Sequence, residues 1–200
     1  MESPAKINLL LKITGIRGDG YHNIASIFQM LDLCDLVTFR PNKLGKVRVT
    51  CSDRSIPARK NLAYRAATAL WEPGLAGVDV ILRKKIPVGA GLGGGSSNAA
   101  TVLWGLNRIW GLGLSRPALR RIGARLGADV PFFLFAPRAW VTGTGDRLRE
   151  LPAAEKFTVL LVKPRAGSET RKAYEIFDGL LTEPLKSYKM PPQIGKRGFS

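Results

Sequence analysis

Residues 86–111 read IPVGAGLGGGSSNAATVLWGLNRIWG, a block of glycine running straight into an apolar, helix-spaced stretch. Glycine loses more chain entropy on folding than any other residue and buries no side chain. A block of it is expected where the bare backbone itself must meet something. The first N–H groups of a helix lack intrahelical partners and carry partial positive charge, so this end of a helix attracts anions. Glycines ahead of it admit phosphate oxygens that a Cβ would hold away. The stretch therefore predicts a cradle for a nucleotide's phosphates. Ser96 and Ser97 are expected to cap the helix and to offer hydroxyls to phosphate or to a metal ion. Ala99, Val102, Leu103, Leu106 and Ile109 form one apolar stripe, and Gly111 stands where a C-terminal cap belongs. The pattern is not a Walker A loop, because Ser96 and Ser97 follow Gly95 where lysine and Ser/Thr are required. Nor is it a dinucleotide fingerprint, because Asp129 comes too late and beyond a second helix.

Working outward, KVRVTCS and GVDVILRKKIP read as strands, the latter with Val78, Val80 and Leu82 on one face. DLVTFRP is another, joined to KVRVTCS by the turn NKLG. KNLAYRAATALWE has helical spacing through Leu62, Ala63, Ala66 and Leu70. LSRPALRRIGARLG is a helix capped by Ser115 and closed by Gly127. RAWVTGTGDRLREL is a strand followed by a tight glycine turn. KFTVLLVKP is expected as an apolar strand, and SETRKAYEIFDGLL as a helix with Ala173, Ile176, Phe177 and Leu180 inward. The opening AKINLLLKI alternates, with Ile7, Leu9, Leu11 and Ile13 on one side and Lys6, Asn8, Leu10 and Lys12 on the other. The glycine-bearing loop after it carries the one histidine of the chain, His22. Beyond about Thr182 apolar periodicity ends, which predicts a poorly ordered tail.

The 200 residues are 45% hydrophobic, enough for a buried core, and no apolar run approaches the length of a membrane span. The first residues lack the features of a secretory or transit signal, so a cytoplasmic protein without membrane association is expected. Cys34 and Cys51 are far from any histidine cluster and read as two reduced, buried hydrophobes rather than metal ligands. A formal net charge of +16 draws anions, nucleic acid and small phosphorylated ligands alike, and its scattered lysines and arginines choose neither.

PVGAGLGGGSSNAA resembles the central motif of the GHMP kinase superfamily, which includes galactokinase, homoserine kinase and mevalonate kinase. PAKINL from Pro4, GDGYHNI from Gly18 and LGADVPFF from Leu126 narrow the resemblance to the 4-diphosphocytidyl-2-C-methyl-D-erythritol kinases. These motifs occur in the family's order, and the resemblance extends to about residue 180. It implies an α+β GHMP kinase fold with a ribosomal-protein-S5-like N-terminal subdomain. Residues 1–150 would form the ATP-binding domain and residues 151–182 the start of a C-terminal subdomain that is largely truncated. Residues 183–200 would be the tail. The family's further C-terminal glycine motif is not among these 200 residues. The implied activity is transfer of the ATP γ-phosphate, with Mg2+ accompanying the nucleotide, to the 2-hydroxyl of the cytidyl substrate in non-mevalonate isoprenoid synthesis.

The same resemblance assigns roles to residues. Asp129 would be the base and Lys6 its partner in catalysis, with Asn8 binding substrate near the reacting hydroxyl. Tyr21, His22 and Tyr174 would form the cytosine pocket. The ATP site would comprise Pro87, Val88, Gly89, Ala90, Gly91, Leu92, Gly93, Gly94, Gly95, Ser96 and Ser97, with Asn61 and Lys84 lining the adenine side. Read from the residues alone, Asp129 is a turn cap, Lys6 an exposed strand lysine and Asn61 a helix cap. Alternative functions are phosphorylation of another small alcohol, a basic RNA-binding module, or an inactive fragment. The kinase motifs serve no purpose in RNA binding, so no nucleic-acid partner is expected.

Overall fold

The computed structural model describes residues 1–164 and 170–180, without the side chains of Thr170, Arg171, Lys172 and Tyr174. The strands are β1 (Glu2–Ile16), β2 (His22–Asn42), β3 (Val47–Cys51), β4 (Gly77–Arg83), β5 (Arg138–Gly143) and β6 (Arg147–Glu150). The helices are α1 (Leu62–Leu70), α2 (Gly94–Ile109), α3 (Arg116–Leu126), the single turn α4 (Val130–Phe133) and α5 (Thr170–Gly179). The six strands form one mixed sheet organised around β2. β1 lies antiparallel along residues 22–36 of β2, β5 pairs with residues 24–29, and β4 with residues 36–42. The first half of β2 shows no clean alternation because Ile24 through Phe28 are all buried, with strands on both edges.

β3 does not form a hairpin with β2, although the turn between them is present. β4 separates them in the sheet, and β3 runs parallel to β4. Val78, Val80 and Leu82 are fully buried against α1 and α2, as their alternation predicts. α1 supplies Ala63, Ala66, Ala67 and Leu70 to this core, α2 supplies Ala99, Val102, Leu103 and Leu106, and α3 supplies Leu119. A second cluster holds Phe132 of α4 against Ile24, Phe28 and Val141 of the sheet. α1, α2 and α3 thus cover one face of the sheet, and α4 is held between α3 and β2.

Several expectations are corrected. Ser96 and Ser97 do not cap α2: its N-cap is Gly93, in the left-handed region at φ 67°, with no side-chain cap. Both serines lie within the first turn, and the Ser97 N–H donates to the Gly93 carbonyl at 2.9 Å. Ile109 is 48% exposed at the end of the α2 stripe, and Leu9 and Leu11 are exposed on β1, where a bulge after Asn8 shifts the register. Residues 156–164 form no strand; among the described residues no strand pairs with them, so Leu160 is 87% and Val162 81% exposed. α5 forms, yet Ile176 and Leu180 face solvent rather than inward. The cysteines are free and half-buried, and burial together with neighbouring carboxylates raises the Cys34 thiol pKa. The expected tail lies outside the described residues. Ser115 and Gly127 do cap and close α3, and Gly111 follows the end of α2 with φ 64°.

Candidate active site

The glycine loop leaves β4 and wraps the start of α2, enclosing a cleft of about 300 Å³. Its wall is formed by residues 87–96 of the loop and first helical turn, together with Asn61, Lys84 and Asn98. Ile56, Lys60 and Leu62 close the other side, and these were not legible as site residues because they stand in no motif. Gly89, Gly91 and Gly93 all have positive φ, so the loop path is one that side-chain-bearing residues resist. At Gly94 a Cβ would stand 3.0 Å from Ile86 and 3.2 Å from the Lys84 ammonium. The bare backbone is thus required both by conformation and by close approach.

Asn61 both caps α1, accepting the Ala63 N–H at 3.0 Å, and faces the cleft. Lys84 lines the cleft while its ammonium pairs with the buried Asp35 and donates to Asn98 Oδ1 at 3.0 Å. Ser97 is fully buried, with its hydroxyl 2.8 Å from that of Ser3, and it takes no part in the cleft wall. The phosphate-facing role expected of Ser97 therefore does not fit its placement, whereas Ser96 remains on the wall.

Lys6 is brought to the same place by the sheet. Its backbone N–H donates to the Leu92 carbonyl at 2.9 Å, stitching β1 to the loop. Its side chain is buried, with the aliphatic stem against Gly93 and the ammonium 4.2 Å from the centre of the Phe28 ring. That ammonium donates to Asn8 Oδ1 at 2.7 Å and lies 3.4 Å from Asp129 Oδ2. Lys6 is thus not an exposed strand lysine. Asp129 occupies the N-cap position of α4 but makes no capping bond; its carboxylate, 31% exposed, is turned to Lys6 and open to a ligand. The turn-cap reading fails on that geometry.

Six residues of β2 separate Phe28, opposite Asn8, from His22, opposite Ile16. At ~3.3 Å per residue that is roughly 20 Å. His22 Nε2 stands 2.7 Å from Asp178 Oδ1 of α5, while Tyr21 is 66% exposed at the loop end. The loop is shaped by Asp19, which accepts the Tyr21 N–H at 3.1 Å and pairs with Arg17. The Tyr21 N–H bond, with Arg17 beside it, holds the Asp19 carboxyl below its ordinary 3.8. Tyr174 belongs to α5, and its side chain lies outside the described residues. Among the described residues no group of three His, Cys, Asp or Glu is placed to hold a metal ion.

Residues 61–136 match the model of the GHMP kinases N terminal domain. The 4-diphosphocytidyl-2-C-methyl-D-erythritol kinase of Methylococcus capsulatus is 49% identical over 166 residues, covering 82% of this chain and 57% of that protein. The enzyme of that name from Syntrophotalea carbinolica is 43% identical over 192 residues, covering 94% of this chain and 68% of that protein. The chain belongs to the 4-diphosphocytidyl-2-C-methyl-D-erythritol kinase family. A crystal structure of 4-(cytidine 5'-diphospho)-2C-methyl-D-erythritol kinase superposes with a TM-score of 0.64 at 39% identity, over 76% of this chain and 54% of that one. A mevalonate kinase structure superposes at 0.58 with 13% identity, a likeness of fold alone. The α+β GHMP kinase fold is thereby established for this chain, which spans 57% to 68% of the length of the two curated relatives described. Among the described residues no helix is long and apolar enough to cross a membrane.

Proposed function

We propose that this chain carries the nucleotide-binding and phosphoryl-transfer centre of a cytoplasmic kinase acting on the 2-hydroxyl of 4-diphosphocytidyl-2-C-methyl-D-erythritol, within non-mevalonate isoprenoid synthesis. The observation that carries the proposal is the Lys6–Asp129 pair, 3.4 Å apart, seated directly against Leu92 and Gly93 of the glycine cradle. ATP is the second substrate and supplies the γ-phosphoryl group, with Mg2+ travelling on the nucleotide. The residues fit the nucleotide: positive-φ glycines shape a loop that lines the cleft at the start of α2, and Gly94 leaves room there for Ile86 and the Lys84 ammonium.

Asp129 accepts the proton of the substrate hydroxyl as its oxygen bonds to phosphorus and the bridging bond to ADP breaks. Lys6 pairs with the carboxylate and places positive charge beside the transferring group. Asn8, tethered to Lys6, orients the alcohol. The roughly 20 Å from Asn8 to His22 suits an elongated substrate anchored at its base end by Tyr21 and His22. That length supports the cytidyl alcohol over homoserine or mevalonate, which could not reach both ends. Incubation of the protein with ATP and each of the three alcohols, read by mass spectrometry and 31P resonance, tests this. ATP-dependent phosphorylation of the cytidyl alcohol alone is expected. Turnover of a short alcohol in its place would refute the assignment.

A further inference from the structure

The glycine loop is flexible by composition, yet a phosphate cradle must hold its N–H groups in fixed positions. Asp35 of β2 supplies the restraint. It is 1% exposed, so its charge has left water entirely and must be compensated within the protein. One carboxylate oxygen accepts the backbone N–H groups of Lys85 at 2.7 Å and Ile86 at 2.9 Å, where the chain enters the loop. The other accepts from the Lys84 ammonium and from Asn98 Nδ2 at 2.9 Å, in the helix that leaves the loop. Asn98 also donates to Ser3 Oγ at 2.9 Å, which ties the assembly to β1 two residues before Ala5 and three before Lys6.

We infer that Asp35 is a positioning residue for nucleotide binding: it clamps the two ends of the glycine loop together and so sets the width of the cradle. The packing at Gly94 shows the consequence, since the two side chains that crowd it, Ile86 and Lys84, are the ones whose backbone and ammonium Asp35 holds. The network also fixes Lys84 on the cleft wall. Asp35 touches no substrate itself. The inference rests on the reading of this cleft as the ATP site.

The test uses the whole chain and titrates ATP and cytidine diphosphate separately by calorimetry. Asp35→Asn keeps the shape and one acceptor but turns an amide donor toward the Lys84 ammonium and the Asn98 amide. ATP affinity is expected to fall about tenfold to a hundredfold while cytidine diphosphate affinity stays within about threefold. The exchanged pair Asp35→Asn with Asn98→Asp restores an acceptor between the same groups and is expected to recover ATP affinity to within about threefold of the unaltered protein. Equal weakening of both ligands, or a folded Asp35→Asn that binds ATP normally, overturns the inference. So does an exchanged pair that melts normally and still binds ATP poorly. In the unaltered protein the Lys85 and Ile86 amides should exchange with solvent as slowly as those of β4, and exchange at loop rates would overturn it without any variant. If the unaltered protein binds no ATP at all, it is the ATP assignment of the cleft that fails.

Discussion

In the proposed reaction Asp129 and Lys6 act on the phosphoryl acceptor and the glycines on the donor, and this division is open to measurement. Asp129→Asn should lower kcat by roughly 10²–10⁴-fold, the usual worth of a general base, with ATP affinity changed only a few-fold. A comparable loss of both, measured by steady-state kinetics and calorimetry, would mean that Asp129 is structural. The glycines themselves divide into two kinds. Gly91 has φ +71° and open space around it, so Gly91→Ala meets only conformational strain, about 1–2 kcal/mol. It should weaken ATP binding and leave kcat at saturating ATP nearly unchanged. Gly93 has φ +67°, and a Cβ there would also stand 3.0 Å from Lys6 Cγ and from the Phe133 ring. Gly93→Val should therefore displace Lys6 and depress kcat as well as ATP affinity, a contrast that a paired kinetic analysis of the two variants will read.

α4 is a single turn, and its placement depends on α3. A Cβ at Gly123 would come within 2.8 Å of Val130, the residue next to Asp129. Gly123→Val should cost about 1–3 kcal/mol of stability through overpacking and also lower kcat by moving Asp129 from Lys6. Ser115→Ala removes the α3 cap, in which Ser115 Oγ accepts the Ala118 N–H, and should cost about 1 kcal/mol with kcat intact. Thermal melts beside turnover numbers separate the two effects. The loop between β1 and β2 is set by Asp19, whose carboxyl pKa is depressed in the fold. A depressed pKa means that the ionised form is favoured by the folded loop. Its contribution is present above the ordinary pKa and lost as pH falls through the lower, folded value. The Tyr21 amide resonance should accordingly shift with a midpoint below 3.8. A midpoint at or above that value would show that the turn is not held by the carboxylate.

For the whole molecule, the net charge of +16 creates a field that favours an anionic ligand. Screening from ~0.01 M to ~1 M salt shortens the Debye length from ~30 Å to ~3 Å. ATP affinity should fall across that range, and adenosine affinity, lacking phosphate charge, should hardly move. A salt response shared equally by both would remove any electrostatic role from the excess charge.

By itself the sequence determined the local pieces of the fold. Alternation at Val78, Val80 and Leu82, helical spacing in α1 and α2, and the Ser115 and Gly127 signals all rest on interactions within a few residues, and each is realised. The backbone need of the glycine block is local too, and it is met by the positive φ of Gly89, Gly91 and Gly93. The tertiary structure decided what depends on distant partners. Lys6 reads as an exposed strand residue until Phe28, Gly93 and Asp129 close around it. Ser97 reads as a cap until Ser3 takes its hydroxyl. Asp35 stands in no motif, and its value arises only where β2, the loop entry and α2 converge. The apolar run of residues 156–164 shows the converse: its composition proposes a strand, but a strand requires a neighbour to hydrogen-bond, and the described fold offers it none.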